Sequence, residues 1–203
     1  MSEFVSESTR PARAPAPRVR LGPLLRPQEH GVYGLYAEPV LLGLILAPSG
    51  AGAAIALAGA AAIVAQQPAA LALADLRRGR RYPRTRVGAL LALAAATLAI
   101  AALVTAGLLA GLRPQAGLHA TWWVPIALAL IPAGIQFAAD RKLQGKTATA
   151  QISGAIALAS LAPAIALAGG ASPLVAWTAW GWLALRVAAS IPNVRARLRR
   201  ARG

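Results

Sequence analysis

An all-α, polytopic integral membrane bundle of about six transmembrane helices is the fold class this sequence predicts, and three observations predict it. Of 203 residues, 57% are hydrophobic and only 13% charged, too apolar for a soluble domain of this size. Runs rich in Ala, Leu, Ile and Val recur along the chain, at about the 20 residues a helix needs to cross a bilayer. Lysines and arginines collect between alternate runs and leave the other loops nearly neutral, the pattern of the positive-inside rule.

The elements follow in order. Residues 1–25 are rich in Pro, Arg and Ser and hold no apolar core, so they read as a disordered, basic cytoplasmic tail. Contact with anionic lipid headgroups is the functional alternative for that tail. The membrane domain is expected over 26–194, with spans at 31–47, 50–74, 87–112, 121–139, 148–169 and 173–193, and a second basic tail over 195–203. Arg10, Arg13, Arg18, Arg20 and Arg26 precede the first span; Arg77, Arg78, Arg80, Arg81, Arg84 and Arg86 separate the second from the third. Arg141, Lys142 and Lys146 lie between the fourth and fifth, and Arg195, Arg197, Arg199, Arg200 and Arg202 follow the sixth. Only Arg113 falls in a loop of the other parity. Both termini are therefore expected in the cytoplasm.

The net charge of +15 goes to orientation, so no nucleic-acid partner is expected. There is no cysteine for a disulfide or a thiolate metal site. The two histidines, His30 and His119, fall on opposite sides, which excludes a multi-histidine metal centre. Trp122, Trp123, Trp177 and Trp180 at the outer side, with Tyr33 and Tyr36 at the inner, read as interfacial anchors. Abundant Ala and Gly predict close helix approach. Pro39, Pro68, Pro125, Pro132 and Pro163 each remove a backbone hydrogen bond and predict bent helices.

Charged and polar residues inside the spans carry the functional expectation, because an ionisable group in lipid is costly unless paired or hydrated. Glu38 sits about seven residues into the first span and Arg186 about seven before the end of the sixth, so the two are expected at one depth, roughly 10 Å from the cytoplasmic end. Gln66 and Gln67 are expected at a similar depth, Gln136 and Gln151 somewhat shallower. Thr97 and Thr105 can satisfy their own backbone. The expectation is a polar pocket open to the cytoplasm, with candidates Glu29, His30, Tyr33, Glu38, Gln66, Gln67, Asp75, Gln136, Asp140 and Arg186. Two alternatives stand beside it: an ion pair that only staples the first helix to the last, and Arg186 stacked over Trp182 one turn earlier. Glu29 beside His30 suits an acid/base or metal pair, or simply a polar helix start with Gly31. Arg77, Arg78, Arg80 and Arg81 read as topology or as a phosphate clamp, since arginine forks suit phosphate oxygens.

Two resemblances attach to these residues. Pro27-Gln28-Glu29-His30-Gly31 with Pro39 and Leu42-Gly43 is similar to the opening of the YwiC-like family of bacterial membrane proteins. The run Gln67-Pro68 to Asp75 and Arg77-Arg78-Gly79-Arg80-Arg81, and the ending from Arg186 through Ser190-Ile191-Pro192 to Arg199, also resemble it. This likeness covers most of the chain after residue 25 and implies a multi-pass fold without implying a reaction. More remotely, Arg26-Pro27 leading to Pro39–Gly43, and Gln136 to Asp140 followed by Gly145 and Thr147, resemble the intramembrane aromatic prenyltransferases of the UbiA superfamily. Gln136 stands where that family's second motif has its first aspartate, and Gln66, Gln67 and Asp75 stand where its Asp-rich diphosphate site would be.

The sequence thus predicts a multi-pass protein of the bacterial cytoplasmic (inner) membrane. It is expected to bind or transport a polar or lipidic small molecule, with anionic headgroups around it and no cofactor. The enzyme alternative is a diverged UbiA-like prenyltransferase, under which alone Mg²⁺ is implied, with Arg77–Arg81 gripping diphosphate and Glu38 acting as base.

Overall fold

The computed structural model describes residues 32–80, 82–112, 121–141 and 147–200. Seven helices account for nearly all of them: α1 (Val32–Leu46), α2 (Gly50–Arg77), α3 (Pro83–Gly111), α4 (Trp123–Arg141), α5 (Ala148–Ala159), α6 (Leu161–Gly169) and α7 (Pro173–Arg200). No strand occurs among the described residues. Both expected tails lie wholly or partly outside them.

Local chemistry sets the boundaries. The Ser49 hydroxyl accepts from the Gly52 N–H at 2.9 Å and starts α2; Thr147 does the same for α5 through the Ala150 N–H. α3 begins four residues before the expected span, because Pro83 suits a first helical turn and Thr85 closes a capping box with Tyr82. The expected fifth span divides at Ser160. Pro163 has no N–H to offer the Ala159 carbonyl, and the Ser160 N–H is shared between Ile156 and Ala157 carbonyls at 3.3 Å each. Pro39, Pro68 and Pro132 lie inside helices that run on through them. Pro125 was expected to interrupt its span, yet it falls in the first turn of α4, where an N–H has no helical partner to lose.

α6 is the centre of the bundle. Ala162 to Ala168 are all buried, and α1, α2, α4 and α7 pack around them. Glycines make this closeness possible. A Cβ on Gly43 would stand 2.8 Å from the Ala162 carbonyl oxygen and the Ile165 Cβ, and one on Gly52 would stand 2.9 Å from Ile165 Cγ2. In lipid, where apolar surface gains nothing from leaving its solvent, such approach supplies the packing energy. α3 lies at the periphery, packed chiefly on α2. Its Gly88, Ala102, Ala106 and Ala110 face inward, whereas Leu90, Leu93, Ile100, Val104 and Leu108 are exposed. Thr97 and Thr105 donate to the Leu93 and Ala101 carbonyls at 3.0 and 2.9 Å, so neither leaves a polar demand.

Four helical segments are long and apolar enough to cross a membrane: Gly50–Arg77, Pro83–Gly111, Ala148–Gly169 and Pro173–Ile191. Val32–Leu46 and Trp123–Ala139 are apolar but shorter. The molecule is therefore an all-helical, multi-pass membrane protein. Of the expected anchors, Trp123 is exposed at the start of α4, whereas Trp122 and Trp180 pack against core clusters.

Contacts fix how the helices stand along the bundle. α1 runs alongside α6, with Gly43 against Ile165 and Ala47 against Gly169. α2 runs opposite to both: Gly52 also meets Ile165, and the Tyr36 hydroxyl donates to the Ala56 carbonyl at 2.6 Å. α3 is antiparallel to α2, with Gly50 near Leu109 and Gly88 near Pro68. From the shared reference Ile165, α5 ends about 26 Å away at Ala148, but α2 continues for about 38 Å to Arg77. The α2–α3 hairpin thus runs about 12 Å past the start of α5 at the arginine-rich end.

Candidate functional site

Two ion pairs form among the described residues. The first joins the first helix to the last: the Arg186 Nη2 donates to Glu38 Oε2. Glu38 lies five residues from Gly43, hence about 8 Å from the level of Ile165, about 14 Å from one end of the α5–α6 segment and about 18 Å from the other. The pair therefore sits near mid-bundle. It occupies a seam where α1 and α7 touch only lightly. One turn further, Leu42 and Trp180 pack on Ala159, Ala162 and Leu183. The Glu38 side chain is 35% exposed and that of Arg186 57%, beside the exposed Leu41, Ile45, Trp182 and Leu185. The Arg186 guanidinium thus goes to Glu38; among the described residues the cation–π contact is elsewhere, Arg84 over Tyr82 at 4.8 Å.

The second pair closes the α2–α3 hairpin. Arg84 approaches Asp75 with a fork, Nε to Oδ2 and Nη2 to Oδ1, both at 3.2 Å. The Thr85 hydroxyl donates to the same Oδ2 at 2.8 Å and accepts the Tyr82 N–H at 3.2 Å. Gly79, at φ 66, lets the chain turn between the helices. Asp75 is 5% exposed and lies at the N-terminus of α3, where a carboxylate also meets the helix dipole favourably. Arg77, Arg78 and Arg80 remain exposed at this tip, and Arg80 donates to the Tyr82 hydroxyl at 3.3 Å.

The expected single polar layer is not what forms. Counted by helix rise from Ile165 towards the arginine-rich end, Glu38 lies at about 8 Å, Gln136 (whose side chain covers Gly154) at about 16 Å, Gln151 at about 21 Å, Gln67 at about 22 Å and Asp75 at about 35 Å. The groups form a staircase. The cause is unequal helix length: counting inward from each loop assumes equal projection, and α2, with 28 residues against 15 for α1, breaks that assumption. Glu38 is correspondingly nearer mid-bundle than the expected 10 Å from the basic end. Asp75 does not join Glu38, since Arg84 and Thr85 engage both of its oxygens. Gln66 and Tyr33 are exposed and Gln67 half-buried. Glu29, His30, Arg81 and the side chain of Asp140 lie outside the described residues.

Sequence reasoning passed over Arg84 and Thr85, which count as loop charge and helix start until the turn folds Asp75 back onto them. It also read Trp180 only as an anchor, although its buried Nε1 has no acceptor among the described residues.

Neither a curated protein nor a solved structure matches the chain. A family model, that of the YwiC-like protein, matches residues 26–166, a stretch that takes in Glu38 and the Asp75 hairpin, ends inside α6 and leaves α7 with Arg186 beyond it. With well over half of its length matched, the chain belongs to the YwiC-like family.

Proposed function

We propose that this protein binds, and carries within the membrane, an amphipathic small molecule whose polar head meets the Glu38–Arg186 pair from the seam between α1 and α7. The single observation behind this reading is the position of that pair: halfway along an apolar bundle, yet partly exposed among large apolar side chains. Charges facing hydrocarbon cost several kcal/mol, so the exposed side of the pair is best met by polar matter. A lipid-like molecule entering sideways brings a polar head for the pair and apolar chains for Leu41, Ile45, Trp182 and Leu185. Gln136, Gln151 and Gln67, placed successively closer to the arginine-rich end, support a polar route from that head to the cytoplasm.

In the same reading the chain crosses the bacterial inner membrane six times, its arginine-rich end and both termini in the cytoplasm. A membrane-impermeant thiol reagent added to intact cells should then label Gly111→Cys and spare Arg80→Cys. For binding, the Glu38→Ala/Arg186→Ala double variant restores neutrality and keeps the fold. Mass spectrometry of co-purified lipid should show that it retains several-fold less amphipathic ligand than the unmodified protein. Equal retention overturns the reading.

Prenyl transfer stands second. The exposed Arg77, Arg78 and Arg80 favour it as a diphosphate grip. However, Asp75 is already bound to Arg84 and Thr85, and among the described residues no three His, Asp or Glu side chains gather. That reading requires Mg²⁺-dependent binding of an isoprenyl diphosphate that Asp75→Asn abolishes.

A further inference from the structure

We infer that the head accepted at the Glu38–Arg186 pair is zwitterionic, a phosphate joined to an ammonium. We infer also that Trp180 adds a third anchor by donating its indole N–H to an acyl ester of the same lipid. This deepens the function proposed above and rests on it.

Charge balance carries the first half. The pair is neutral as a unit, and it lies near mid-bundle, where net charge is most costly. An anionic head docked there leaves one uncompensated negative charge, and a cationic head leaves one positive. A zwitterion leaves none. It also offers each member of the pair its own partner: the guanidinium fork of Arg186 suits phosphate oxygens, and the Glu38 carboxylate accepts from an ammonium. More than half of the Arg186 side chain is open to such an approach.

Trp180 carries the second half. Its Nε1 is buried with no acceptor among the described residues, an unfavourable state for a group that normally finds a partner when buried. Trp180 packs with Leu42 on Ala159, Ala162 and Leu183, in the seam that holds the ion pair. Trp177 meets it edge-on with ring centroids 5.9 Å apart, which holds the indole in place. Six residues, about 9 Å of helix rise, separate Trp180 from Arg186. The Arg186 side chain and the glycerol linking a phosphate to its acyl esters together bridge that separation. A phosphate at Arg186 thus puts an ester carbonyl in the seam beside Trp180, and a side-chain shift there on lipid entry brings it to Nε1, the one buried side-chain donor that lacks an acceptor among the described residues.

The test uses the full-length protein in detergent, stripped of lipid and offered dioleoyl phosphatidylethanolamine, its ether-linked analogue without ester carbonyls, or dioleoyl phosphatidylglycerol, with retention read by native mass spectrometry. The unmodified protein should retain the ethanolamine lipid about tenfold over the glycerol lipid, and the ester form roughly fivefold over the ether form, the worth of about one hydrogen bond. Trp180→Phe should erase the ester preference and leave the head preference. Glu38→Gln leaves Arg186 uncompensated, so it should invert the head preference towards the glycerol lipid and leave the ester preference. Equal retention of the two heads, or of ester and ether forms, by the unmodified protein overturns the inference. If the Glu38→Ala/Arg186→Ala variant still loses lipid in that case, the function proposed above survives without it. If no variant changes retention of any lipid, both fall.

Discussion

The two ion pairs are built from the same chemistry and placed in opposite surroundings. Arg84 and Arg186 have equally exposed side chains, 57% each, yet one stands at a hairpin tip past the start of α5 and the other near the middle of the bundle. At the tip, nine residues separate acid from base across a glycine turn, the carboxylate is buried by its own hairpin, and Thr85 joins in. In the middle, 148 residues separate the partners, and among the described residues no third side chain shares their bond. The tip pair closes a local structure and is satisfied there. The mid-bundle pair ties the chain's two ends together and leaves exposed charge in an apolar zone. What distinguishes a staple from a candidate site here is therefore the demand each leaves unmet.

Removing one partner from the middle should have the largest effect. Glu38→Ala strands a guanidinium near mid-bundle, at a cost of about 2–3 kcal/mol, and the Arg186→Ala/Glu38→Ala double variant should recover most of it. Thermal unfolding in detergent measures both, and a double variant no more stable than the singles breaks the comparison. Asp75→Asn should lower the melting temperature by less, because the tip meets water. Its effect should also shrink in high salt, which screens the exposed Arg84 guanidinium that Asp75 holds, whereas the Glu38 effect should not. A salt-independent Asp75→Asn result would place the tip inside the membrane. The smallest effect, about 1 kcal/mol or less, is expected for Thr85→Val, which removes a helix cap and one bond to Asp75.

The all-helical, multi-pass character was legible because it follows from a quantity that sums along the chain, apolar run length. That Glu38 and Arg186 would meet was legible too, since two antiparallel spans with charges equally far from their shared end bring them level. Depth was not. It depends on how far each helix projects, which Gly43 and Gly52 set by letting α1 and α2 close on Ile165, contacts that no pattern in one segment announces. The Asp75 clasp was half legible: Gly79 and the Tyr82-Pro83-Arg84-Thr85 start mark a tight hairpin, and a tight hairpin returns its first turn onto its last. Pro163 was a readable break. Pro125 was not a break at all, because what proline costs depends on whether its position had a bond to lose.

The sheathing of α6 has a consequence for biosynthesis. A nine-residue helix walled in on every side cannot reach its final environment when it leaves the ribosome, because the last wall, α7, is still unsynthesised. Until then one flank of its alanines waits against lipid or the insertion machinery, so assembly of the centre has to be the final event, not the first.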